Sequence, residues 1–101
     1  MSDIDILQNK VADFGRKRGW AKYHSPKNIS MALTVEAGEL LEHFQWLSEG
    51  TSQQLDDEKI KEISYEVADV FMYTLLLCEQ LGIDLKAATE KKLALNEQRF
   101  P

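Results

Sequence analysis

The stretch SYEVADVFMYTLLLCEQL, Ser64 to Leu81, decides the fold. Its period is helical, and Val67, Val70, Phe71, Met72, Leu75, Leu76, Leu77 and Cys78 cover nearly the whole circumference instead of one narrow stripe. A helix that is apolar on several sides has to be covered on several sides. In a chain of 101 residues, three short neighbours can hardly supply that cover. The pattern therefore predicts an all-α fold with four main helices per chain, a helical bundle completed by homo-oligomerisation as a dimer or a dimer-of-dimers tetramer.

The flanks supply the other three helices. Asp56 or Asp57 caps the long helix, Gly82 stops it at Leu81, and Asp84 caps a fourth helix from about Leu85 to Gln98. Upstream, Ile29, Leu33, Leu40, Phe44 and Leu47 mark a second helix from Ile29 to Leu47, ended by the polar run SEGTSQQLDD. WAKYHSPKN, Trp20 to Asn28, is expected to be a loop, because helix interiors reject its proline. Ser2 and Asp5 form a capping box ahead of Ile4, Leu7, Val11 and Phe14, giving a first helix that fades between Gly15 and Gly19. There is no useful strand alternation, internal repeat or low-complexity segment. Residues 1–101 are expected to be a single domain.

Composition narrows the function. Hydrophobic residues at 44% and charged residues at 29% are those of a soluble globular protein. A net charge of -5 gives no general attraction to a phosphate backbone, and no basic patch argues for nucleic acid. The only cysteine, Cys78, sits in the apolar run, where a small core residue is the plain expectation. The charged opening MSDIDILQNK is not a signal segment, and no run approaches the ~18 apolar residues of a membrane span. No membrane partner is expected, and the simplest location is cytoplasmic.

Within the apolar helix stand Glu66 and Asp69, three residues apart, on the side shared with Val70, Tyr73 and Leu77. The second helix repeats the arrangement in VEAGELLEHFQW, Val35 to Trp46. There Glu36 and Glu39 lie about 60° apart on a face with Ala32, Leu40, His43 and Leu47. Glu42 falls away from the pair and is expected in solvent. Acidic residues three apart are common on solvated faces, so neither pair alone makes a site. Two matched pairs on inward faces are another matter. Four converging carboxylates repel by several kcal/mol per close pair at an effective dielectric of ~20, and a positive charge must sit among them. Oxygen ligands without cysteine suit Mg²⁺, with Mn²⁺ a possible substitute, and such an ion suits phosphoryl chemistry. A di-iron bundle would need Glu-x-x-His, but Leu40 stands three before His43, which is expected to pack rather than bind metal.

The chain resembles the MazG-like all-α nucleoside triphosphate pyrophosphohydrolases, above all their dCTP pyrophosphatase branch. The likeness rests on the glutamate-rich stretch followed by Glu-x-x-Asp, matched by Glu36, Glu39, Glu66 and Asp69. It rests also on the words WAKYHSPKNISMAL, GELLEHFQW and KLALNEQRFP, and covers about residues 4 to 101. Val35 occupies a place where the broader family often has a further glutamate. The resemblance implies hydrolysis of a nucleoside triphosphate, a deoxynucleotide such as dCTP, to a monophosphate and pyrophosphate in house-cleaning of the nucleotide pool. It implies that Glu36, Glu39, Glu66 and Asp69 hold one to three Mg²⁺ ions and carry catalysis. Lys27 and Lys92 are phosphate partners on this reading, and Trp20, His24, Asn28, Trp46, Tyr73 and Asn96 line the nucleotide pocket, with residues from more than one subunit. Two other classes compete: a non-catalytic helical interaction module whose acidic pairs bind a basic partner helix, and a metal-loaded structural or oxidative bundle.

Overall fold

Ser2 opens the first helix: its hydroxyl accepts from the Asp5 amide at 3.2 Å while its own amide donates to the Asp5 carboxylate at 3.1 Å. In the computed structural model, which describes residues 1–101, that helix is α1 (Asp3–Lys17). It is followed by α2 (Pro26–Glu42), α3 (Asp57–Leu81) and α4 (Leu85–Arg99), with single 3₁₀ turns at Ala21–Tyr23 and Thr51–Gln53 and no strand. Asp56 and Asp84 cap α3 and α4 by accepting from the amides of Lys59 and Ala87 at 2.8 and 3.0 Å. Gly82, with φ of 65°, ends α3 in the left-handed conformation that a side chain would resist.

The second helix departs from expectation at both ends. It begins at Pro26, three residues before Ile29, because the first helical position needs no amide donor and the proline ring already has a helical φ. Ser25 caps it by accepting from the Asn28 amide, so Pro26, Lys27 and Asn28 form its first turn and are not loop. It stops at Glu42 rather than Leu47. Past that point the Phe44 and Leu47 amides bond the carbonyls three residues back, tightening the chain into turns.

The long helix α3 is the hub. α2 runs along it and α1 leans on it, while α4 shares no extended interface with any other element. Ala12 from α1, Ile29 from α2 and Leu76 from α3 form a small core, with Val11, Tyr73 and Leu77 packed around them. Leu75 is fully enclosed, and its carbonyl accepts a 3.0 Å hydrogen bond from the Gln8 amide of α1. Arg16 of α1 reaches Glu79 of α3 at 3.6 Å. Cys78 is buried, as its apolar surroundings predict, and burial pushes its thiol pKa up. Only six of the 101 residues are buried, and Val67, Phe71 and Met72 of α3 remain 38 to 50% exposed. No helix is long and apolar enough to cross a membrane.

Candidate functional site

The helical pitch brings Glu36 and Glu39 of α2 to the same height as Glu66 of α3, where the two helices pack together. One carboxylate oxygen from each lies within 4.8 Å of the others. Glu36 and Glu66 are half-buried, and Oε2 of each is shut away from solvent without a hydrogen-bond partner. Acceptors placed this way are costly unless a proton or a cation joins them. Glu36 records the cost: burial first, then the Glu39 carboxylate within hydrogen-bonding reach and the charges of Glu39, Asp69 and Glu66, push its pKa up to about 7. An all-carboxylate oxygen set with orphaned lone pairs fits a hard divalent cation and offers nothing to a soft one.

Asp69, one turn beyond Glu66, is not among the three whose oxygens gather, but its charge is one of those that raise the Glu36 pKa. With Glu36 it forms the acidic edge of a recess of about 310 Å³ between α1, α2 and α3. Val11, Phe14, Trp20, His24, Met72 and Tyr73 make its walls. Trp20 meets Phe14 edge to face, with ring centres 5.6 Å apart, and the Arg18 guanidinium lies over the Phe14 ring, 3.5 Å from its centre. Flat apolar walls beside carboxylates suit a ligand with a planar ring at one end and a cation-bound anion at the other.

Of the residues expected to meet a nucleotide, Trp20, His24 and Tyr73 thus come together with Glu36 and Asp69. The others do not join them within one chain. Asn28 is exposed and spends its side-chain amide on the Tyr23 carbonyl at 3.0 Å. Lys27 is exposed on the first turn of α2. Trp46, 88% exposed, lies beyond the end of α2 beside a separate open recess with Glu42, His43 and Glu62. Lys92 and Asn96 lie on α4, which projects from the other helices.

Sequence reading passed over Lys59, which stands with Glu39, Glu42, His43 and Glu66 around an open acidic recess and pairs with Glu62 at 3.7 Å. It lies seven residues before Glu66, two turns along the same face, and that spacing was the available signal. By periodicity Phe14 and Met72 belong to the core or an interface, and Gly15 to the fraying end of a helix. No sequence spacing marks them as pocket wall, because the wall forms where α1 crosses α3.

Residues 31–101 match the MazG-like family. dCTP pyrophosphatase 1 of Rattus norvegicus is 35% identical over 100 residues, spanning 97% of this chain and 59% of the rat protein. The Homo sapiens protein of the same name is 34% identical with the same coverage, so the chain spans about three fifths of the length of these curated relatives. A crystal structure of a pyrophosphatase from Archaeoglobus fulgidus superposes with a TM-score of 0.93 at 34% identity, covering 100% of this chain and 94% of the other.

Proposed function

The chain belongs to the MazG-like family, and from that premise we propose that it is a Mg²⁺-dependent nucleoside triphosphate pyrophosphohydrolase. Its substrates are deoxynucleotides such as dCTP, its products the monophosphate and pyrophosphate, and its role the trimming of excess or abnormal nucleotides in the cytoplasm. One domain, residues 1–101, carries the chemistry. The observation that carries the reading is the pair of orphaned oxygens, Glu36 Oε2 and Glu66 Oε2, gathered with Glu39, with Glu36 also at the edge of an aromatic recess.

Glu36, Glu39, Glu66 and Asp69 would hold the metal. Mg²⁺, or Mn²⁺ in its place, supplies positive charge that offsets the triphosphate and the charge growing in the transition state. The chain's own groups do the rest. Trp20, His24 and Tyr73 bind the base and sugar and fix the triphosphate's direction toward the carboxylates. A water oxygen attacks in line at the α phosphorus, and the bond to the bridging oxygen breaks. Pyrophosphate leaves with that bond's electron pair. The water's proton passes to a carboxylate, for which Glu36 and Glu39 are the candidates.

The working unit is a homo-oligomer, a dimer or a dimer of dimers. Lys92 and Asn96, displaced from their own chain's recess on α4, act at the site of a second copy. The expected result is that Glu39→Gln and Asp69→Asn each lower Mg²⁺-dependent pyrophosphate release from dNTPs by about 100-fold or more while the oligomer persists. Turnover equal to wild type in both variants would remove the carboxylates from the mechanism.

A further inference from the structure

Gly15 lies near the end of α1, where its φ is not positive, so the backbone does not require glycine there. Glycine is also a poor helix former, which makes its presence in a helix a matter of space. It is one of the six buried residues, and a methyl group at its Cα would come within 3.1 Å of His24 Cε1 and 3.5 Å of His24 Nδ1. The imidazole therefore rests directly on the α1 backbone. Its own main chain has little room to retreat, because the His24 amide donates to the Ala21 carbonyl at 3.1 Å and the next residue, Ser25, caps α2. The Gly15 carbonyl also accepts the Trp20 amide at 3.0 Å. The missing side chain at position 15 thus sets the depth of the His24 ring, beside a main-chain bond that ties down the chain carrying Trp20.

Both side chains line the recess shared with Glu36, Asp69 and Tyr73. The opposite side of the His24 position borders a smaller cavity with Arg16, Glu79 and Gln80, so the imidazole stands as a partition between the two spaces. We propose that Gly15 is a positioning residue for nucleotide binding, its missing side chain seating the His24 imidazole so that the recess keeps the width of a base. This rests on the pyrophosphohydrolase reading above. With a methyl at position 15 the ring has to give way by a few tenths of an ångström, and because the imidazole and Gly15 both line the recess, that shift alters the recess wall.

The test uses the full chain with Mg²⁺ and dCTP. Gly15→Ala is expected to raise KM by about 5- to 20-fold with kcat within twofold, while Tm stays level or rises, since alanine favours the helix. A role confined to folding would show the reverse, a lower Tm and an unmoved KM. His24→Ala removes the group the methyl strikes, so Gly15→Ala added to His24→Ala should change KM no further. The Cε1–H NMR signal of His24 should shift in Gly15→Ala while that of His43 stays in place, a readout that needs no turnover. Wild-type KM in Gly15→Ala, multiplying effects in the double variant, or an unmoved His24 signal would each overturn the proposal. A wild-type protein that hydrolyses no nucleotide would instead defeat the enzymatic reading, and the His24 signal would still decide whether Gly15 seats the ring.

Discussion

Glu36 is where the fold and the chemistry conflict most directly. Its carboxyl, ordinarily near 4.5, is pushed up to about 7, chiefly by burial and then by Glu39 and its neighbours. In the unfolded chain the proton leaves near 4.5; in the folded chain it stays until about 7. Between those values the folded state binds more protons than the unfolded one, so stability falls as pH rises through the window and the loss is complete above it. Glu36→Gln removes the titration while keeping the shape. In EDTA the variant and wild type should therefore have similar Tm near pH 4.5, with the variant increasingly more stable toward pH 8. Added Mg²⁺ should close that gap by raising the wild type alone, and differential scanning fluorimetry across pH will check it. Parallel curves for the two proteins would mean that Glu36 carries no such charge cost. The acidic pairs were legible in the sequence because helical spacing fixes which residues share a face. Which carboxylate suffers most was not, since that depends on how deeply α2 beds against α3.

Among the elements, α3 carries the structure. Its N-cap, narrowed to Asp56 or Asp57, and its stop at Gly82 are readable in the sequence, and so are the N-caps Ser2 of α1 and Asp84 of α4, because capping is a local matter of short polar side chains and a glycine in the left-handed region. The limits of α2 are not, for two local reasons. Pro26 reads as a helix breaker, although at the first helical position it is a helix starter. Beyond Glu42 the apolar periodicity of Phe44 and Leu47 continues, but the backbone switches to three-residue bonds that periodicity cannot see. Leu75 lies where α1 and α3 meet, fully enclosed, with Gln8 bonded to its carbonyl. Leu75→Ala leaves a cavity at that contact, and urea unfolding should show a loss of about 3 kcal/mol. Gln8→Ala frees a carbonyl that its own helix can still satisfy, so its expected loss is smaller, about 1 kcal/mol. A Leu75→Ala protein as stable as wild type would show that α1 and α3 are held together elsewhere.

At the scale of the molecule, the isolated chain has too much surface. A folded monomer of 11.6 kDa should expose about 5,800 Å² and have a radius of gyration of about 13 Å. This chain exposes 7767 Å² with a radius of 16.1 Å. The excess, about 2,000 Å², is more than twice the roughly 800 Å² that one partner gives to a standard interface. Its location agrees: the free sides of α3, and α4, whose Leu93 and Leu95 are 58 and 49% exposed. Charge agrees as well. α4 carries Lys86, Lys91, Lys92 and Arg99 against Glu90 and Glu97, leaving eight basic and fifteen acidic residues on the rest of the chain. A basic helix without a seat on its own acidic body is suited to the acidic body of a second copy. Light scattering behind size exclusion should therefore show a dimer or tetramer at micromolar concentration, with a Tm that rises with protein concentration. Leu93→Asp should dissociate it, lower Tm and abolish turnover with all four carboxylates intact, because the recess would lose Lys92 and Asn96 of the second copy. A fully active wild-type monomer would confine the site to one chain and leave the exposed face of α3 without an explanation.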